Sequence, residues 1–156
     1  MMVNLSQLVV DIEVNPHDES PEVLETIDME VVQPGSKSGG PVASLDGFII
    51  SRERCGNAFL SILDEESDEL QRFSGALFDK YGKVESHIVS EGFQSGTRCW
   101  GRELNVGKII YIVDVTVYKN RRQGIGSFIL KRLFESKYVQ ERDIVISWPV
   151  VERGFE

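Results

Sequence analysis

The chain has 156 residues, with 17 Lys and Arg against 25 Asp and Glu, and a net charge of −8. That length is one domain's worth and is enough to bury a core without disulfide staples. Net acidity excludes indiscriminate nucleic-acid binding, and a content of 41% hydrophobic and 27% charged residues excludes a disordered polymer.

The charge is unevenly spread. Residues 1–80 carry 5 basic and 16 acidic side chains, whereas residues 81–156 carry 12 basic and 9 acidic. The second half is therefore where an anion is expected to bind, and the acidic half is where a cationic amine would be drawn. The N-terminal stretch lacks the basic and apolar regions of a signal peptide, and no apolar run approaches the roughly 20 residues of a membrane span. With two cysteines, Cys55 and Cys99, the composition suits a reducing compartment. The expected location is cytoplasmic, with the nucleus left open, and no membrane partner is expected.

In chain order, residues 8–14 read as a strand, 15–25 as a loop and 28–33 as a second strand. The segment 34–41 (PGSKSGGP) reads as a mobile internal loop, because glycine and serine are costly to order. Residues 43–51 read as another strand. A helix is expected from Ser67 to Gly82, with Leu70, Phe73, Leu77 and Tyr81 on one face, Ser67 as its cap and Gly82 as its stop. The acidic run from Asp64 to Glu69 then sits at a helix start, where the dipole favours it.

Residues 97–104 and 108–118 read as two strands joined by a turn at Asn105–Gly107. Strict alternation puts Tyr111, Val113, Val115 and Val117 on one face and Ile110, Ile112, Asp114 and Thr116 on the other. Both faces are mostly apolar, so a central strand covered on both sides is expected. Residues 124–138 carry Ile125, Ile129 and Leu133 at helical spacing, and 143–147 reads as a last strand. A strand–helix–strand order implies a parallel crossover and the α+β or α/β class: a mixed, mostly antiparallel central sheet with flanking helices in a single domain over 1–156.

The segment with the clearest chemistry is Asp114 to Ser127, DVTVYKNRRQGIGS. Here a strand ends, a Gly-containing turn follows and a helix starts. Gly124 and Gly126 leave backbone N–H groups uncovered at the helix start, which makes an anion cradle beside Lys119, Arg121 and Arg122. A P-loop would need Lys after the last glycine and fails. A dinucleotide fingerprint would need a small residue where Ile129 stands. The remaining pattern is R-x-x-G-x-G, matched by Arg121-Arg122-Gln123-Gly124-Ile125-Gly126.

With this pattern between the strand KIIYIVDVTVY and the helix FILKRLFESKY, the chain resembles the GNAT superfamily of acyl-CoA-dependent N-acetyltransferases. The resemblance covers residues 97–150 and, more loosely, the earlier half. The stretches LDGFIISRERCGNAFLSILDEESDELQRFSGALFDKYG and GTRCWGREL are similar to a mainly fungal branch of the superfamily. It implies acetyl-CoA as co-substrate and an amine-bearing small molecule or protein as acceptor. Backbone groups of Val115 and Val117 would pair with the pantetheine arm. The N–H groups of Gln123, Gly124, Ile125, Gly126 and Ser127 would hold the pyrophosphate, with Arg121 and Arg122 supplying charge. Asp114, on the face opposite Val113 and Val115, is the best candidate for the general base, the alternative being a structural strand residue; Glu103 and Glu91 stand in reserve, and the resemblance implies the Val117 N–H as oxyanion donor. The position of Val113, often acidic in the superfamily, carries no acid here.

The superfamily fold continues beyond a strand like 143–147 with a further helix and two strands, and that helix often carries a tyrosine acid. None of Tyr81, Tyr111, Tyr118 or Tyr138 stands at that position. The expectation is a fold lacking its last helix and strands, with Trp148 and Val150 left as an association surface, so that a homodimer is an open option. The alternative function is an inactive module of the same type that binds CoA or a protein partner. His17 and His87 lie far apart and no C-x-x-C occurs, so no metal is expected. Cys55 and Cys99 read as packing residues, and Trp100 and Trp148 as packing anchors.

Overall fold

Leu24–Val32, Ala43–Ile50 and Ile109–Val117 are the apolar-rich runs that form the middle of the molecule. A computed structural model describes residues 3–35, 39–89, 102–119 and 122–147. It is a mixed α+β arrangement with one open five-stranded sheet, in order β1 (Val9–Pro16), β2 (Leu24–Val32), β3 (Ala43–Ile50), β4 (Ile109–Val117) and β5 (Ile144–Ser147). The first three pairings are antiparallel and β4–β5 is parallel. The helices described are α1 (Phe59–Glu66), α2 (Asp68–Leu77), α3 (Ser86–Val89) and α4 (Ile125–Glu135). No helix among the described residues is long and apolar enough to cross a membrane.

Two cores lie on opposite faces of the sheet. On one face α4 buries Ile125, Ile129 and Leu133 against Ile27, Met29, Leu45, Ile110 and Ile112, and β1 adds Val10, Ile12 and Val14. On the other face α1 and α2 bury Phe59, Leu63, Leu70 and Phe73 against Leu24, Ile50, Ile109 and Tyr111. Phe78 meets Phe59 and Phe73 edge-on, at centroid separations of 5.5 and 5.6 Å, a favoured aromatic geometry. The fully buried Tyr111 donates its hydroxyl to Glu69 Oε1 at 2.8 Å, fastening β4 to α2.

Several expected elements differ. The single helix over 67–82 is two helices meeting at Ser67. That residue is extended, ends α1, and accepts the Leu70 N–H on its side chain at 3.1 Å to cap α2. Asp64, Glu65 and Glu66 therefore close α1, the unfavourable end for acids. Glu66 is partly compensated by accepting a hydrogen bond from His17 Nε2, whose Nδ1 accepts the Glu19 and Ser20 N–H groups. Helix α2 stops at Leu77, Phe78 bridges back to Val84, and Tyr81 is 51% exposed instead of extending the stripe. Gly82 serves the following turn with φ 76°. The loop expected over 15–25 shrinks to 17–23, because β1 reaches Pro16 and β2 starts at Leu24. Of the strand expected at 97–104, residues 97–101 lie outside the described residues, and Arg102–Asn105 forms a 3-10 turn.

Strict alternation along β4 also fails. Asp46 faces Asp114 while Gly47 faces Ile112, so Val113 is an extra residue, a β-bulge. Ile110 and Ile112 before it, and Val115 and Val117 after it, all face the α4 core. Val113 is 39% exposed, and among the described residues β4 is covered on both sides only over its first half.

A candidate anion site at the α4 start and an acidic sheet face

In chain order α4 is the next element after β4. After Val117, Tyr118 and Lys119 both donate backbone N–H groups to Val42 O, at 2.8 and 3.3 Å, which anchors the strand end. Arg122 takes φ 64°, an uncommon conformation for a residue with a Cβ, and Gly124 takes φ 80° at the helix cap. Gly124 offers no side chain as a cap. The first hydrogen bond of the helix runs from Phe128 N–H to Gly124 O at 2.9 Å, so the amides of Ile125, Gly126 and Ser127 precede the ladder.

Space above these amides is open. Among the described residues, a methyl group built on Gly124 would meet nothing within 4 Å, and one on Gly126 would meet only Val117 Cγ2, at 4.0 Å. This geometry, together with the positive end of the helix dipole, accepts an oxyanion. Arg122 is exposed beside it. Gln123 accepts the Val3 N–H on Oε1 at 2.6 Å and so ties the N-terminal segment to the turn. Arg121 lies outside the described residues, as do Glu91, Cys99, Trp100, Trp148 and Val150.

Parallel pairing with β5 runs from Ile109 opposite Ile144 to Ile112 opposite Ser147. Over Val113–Val117 the cross-strand partners among the described residues lie on β3. Val115 and Val117 point their side chains into the α4 core, so any contact they make with a ligand at this edge is through their backbone.

Asp114 stands on the opposite face of the sheet from Val115, where α1 and α2 do not reach. It is exposed, and its Oδ2 accepts the Thr116 hydroxyl at 2.7 Å. It continues a cross-strand row of acids: Glu13 faces Asp28, Asp28 faces Asp46, and Asp46 faces Asp114. A second pair, Asp11 and Glu30, flanks the row. None of these six carboxylates has an ion pair among the described residues. Burial pushes the Asp46 carboxyl above its ordinary value, and a hydrogen bond with Asp28 and the nearby charges of Asp28, Asp114 and Glu30 add to the rise.

Glu103 lies in the 3-10 turn that precedes β4, whereas α4 follows the other end of the strand. Cys55 is buried, and burial raises its thiol to about 11, which suits packing and not nucleophilic attack. The sequence reading missed the bulge and the acid row it completes. The available signal was Gly47, a lone glycine inside a strand pattern. A methyl at Gly47 would lie 2.4 Å from Tyr111 O, so only glycine fits opposite the bulge. No family model, curated protein or solved structure gives a significant match to this chain.

Proposed function

We infer that the protein is an acyltransferase of the GNAT type, moving an acetyl group from acetyl-CoA to the primary amine of a cationic acceptor. The observation that carries this reading is the course of β4. One strand bears an exposed carboxylate next to its bulge, and the next described element after it is a helix whose start has no side-chain cap. The helix start would then serve as the anion cradle and Asp114 as the proton acceptor, one on each side of the sheet.

In this reading the amides at the start of α4 hold the pyrophosphate of the co-substrate, with Arg122 and Arg121 adding charge. The co-substrate, when bound, supplies an activated acyl carbon. Asp114 would take a proton from the acceptor's ammonium, at the carboxylate oxygen not used by Thr116, so that the neutral amine attacks the acyl carbon and CoA departs as its thiolate. The acid row across β1–β3 favours acceptors with more than one positive charge, such as polyamines or lysine-rich peptides.

Calorimetric titration with acetyl-CoA, paired with a thiol-release assay over polyamines and a lysine-rich peptide, tests this. Saturable binding at sub-millimolar concentration with amine-dependent thiol release is expected. Absence of binding would remove the reading, and binding without thiol release would leave a CoA-binding module in its place.

A further inference from the structure

At the far end of β4 from the α4 start is a second concavity with charge opposite to that of the chain. It has a volume of about 270 Å³ and is lined by Arg52, Arg54, Lys108 and Arg142, with Glu53 and Asp143 as its carboxylates. Two net positive charges therefore gather in one cleft of a protein whose net charge is −8.

Arg52 is only 4% exposed, yet its acceptors are backbone carbonyls. Nε donates to Gly107 O at 2.9 Å, Nη2 to Val106 O at 2.8 Å, and Nη1 to the carbonyls of Gly82 and Leu104. Carbonyl dipoles solvate a guanidinium without cancelling its charge, so the field of Arg52 persists into the cleft.

Of the two cleft carboxylates, Asp143 is held in the wall and faces Lys108, which leaves the charges of Arg54 and Arg142 uncompensated by it. Asp143 accepts the Lys108 N–H on Oδ1 and the Gln140 N–H on Oδ2, both at 2.9 Å, and its side chain is 1% exposed. Lys108 Nζ is 3.9 Å from Asp143 Oδ2 and donates to Tyr138 O at 3.3 Å, while remaining one-third exposed. Arg54 and Arg142 are exposed and form no ion pair among the described residues. The walls are fixed by backbone: a methyl at Gly107 would lie 2.3 Å from Arg142 O.

We propose that this cleft is a binding site for a phosphate group, either free phosphate or the terminus of a small phosphate monoester. Two exposed guanidinium forks and an ammonium suit a tetrahedral dianion, which can accept bidentate bonds from each arginine. Pockets for larger organic ligands commonly start at roughly 300 Å³, so the size of this cleft suits a phosphate with a short attached fragment. The site is separate from the α4 start and independent of any acyl transfer.

The test is titration of the whole chain with inorganic phosphate and with glycerol phosphate, at ionic strength held constant with chloride, followed by calorimetry and by thermal stability. Saturable binding is expected, weakened at least tenfold in Arg54→Gln/Arg142→Gln and retained in Gly126→Glu. Arg142→Gln alone gives an intermediate loss and serves if the double variant does not fold. Tighter binding of the monoester assigns a phosphorylated small molecule, and equal affinities assign free phosphate. No effect beyond chloride overturns the site. So does loss of binding in Gly126→Glu with retention in the arginine variants, since the phosphate would then lie at the α4 start.

Discussion

Asp114 lies directly opposite Asp46 in the β3–β4 ladder, one step beyond the bulge at Val113. Like charges facing each other across a sheet repel, and here burial and Asp28 already hold the Asp46 carboxyl above its ordinary value. The folded chain therefore binds that proton more tightly than the unfolded chain. Stability from this group is greatest below the ordinary carboxylate range and falls as pH rises through the raised value. Asp46→Asn should stabilise the protein by about 0.5 kcal/mol at pH 7, with the gain shrinking toward pH 4. Urea unfolding at the two pH values checks this, and an equal gain at both would remove charge repulsion as the cause.

Asp114→Asn keeps the shape of the side chain and its acceptor for Thr116 but removes the basic oxygen. If Asp114 takes the proton from the acceptor amine, turnover should fall by about a hundredfold or more while acetyl-CoA affinity is unchanged. The pH dependence of the residual rate is the sharper measurement. A variant whose rate–pH profile matches that of the parent would show that another group is the base.

Deletion of Val113 separates the bulge from the fold. Ile110 and Ile112, like Val115 and Val117, face the α4 core. Removing one residue between the two pairs restores plain alternation without turning either pair around. The deletion should therefore fold with an unchanged or raised Tm. The course of the strand past the bulge would change, and displacements on the order of 1 Å are enough to cost about a hundredfold in rate. Circular dichroism melting and the thiol-release assay together check the pairing of intact stability with lost turnover.

The contrast between the α4 side and the rest of β4 explains how much was legible. Ile125, Ile129 and Leu133 recur at helical spacing and Gly124 marks the cap, so the helix and its open start could be read from the residues. The parallel crossover from β4 to β5 followed from element order. The bulge was hidden because Val113 is as β-prone as its neighbours, and the reason for it lies in Gly47, which is distant in sequence. The acid row was hidden for the same reason. Glu13, Asp28, Asp46 and Asp114 belong to four separate strands, and only the register aligns them. Ser67 was legible as a cap, but the helix that ends on the same residue was masked by an acidic run that suits a helix start better than a helix end.

Arg52 shows a further limit, since an arginine in the run Ser51-Arg52-Glu53-Arg54 gives no sign of burial. Its four carbonyl acceptors join the turn at Gly82 to the segment from Leu104 to Gly107, which leads into β4. Burial lowers its guanidinium from the ordinary value, an effect only partly opposed by the charges of Glu53 and Asp143. Arg52→Met leaves several buried carbonyls without donors and should cost about 3 kcal/mol or more. Arg52→Lys should recover only a small part, because one ammonium cannot reach four acceptors fixed by a planar fork. Urea midpoints of the two variants measure the difference.

Gly126 tests the open helix start with a pair of substitutions. A methyl at this position meets only Val117 Cγ2, at 4.0 Å, and the residue is not among the glycines with positive φ. Gly126→Ala should therefore fold normally, with a stability equal to the parent or higher by up to about 1 kcal/mol from helix propensity. Gly126→Glu is equally compatible with the backbone and places an acid in the first turn, where the dipole favours it, so it too should remain folded. It also sets a carboxylate where the pyrophosphate would sit, which should abolish measurable acetyl-CoA binding in calorimetry. Gly126→Ala should retain binding with at most a modest loss. Retention of binding in the folded Gly126→Glu protein would show that the anion does not occupy the start of α4.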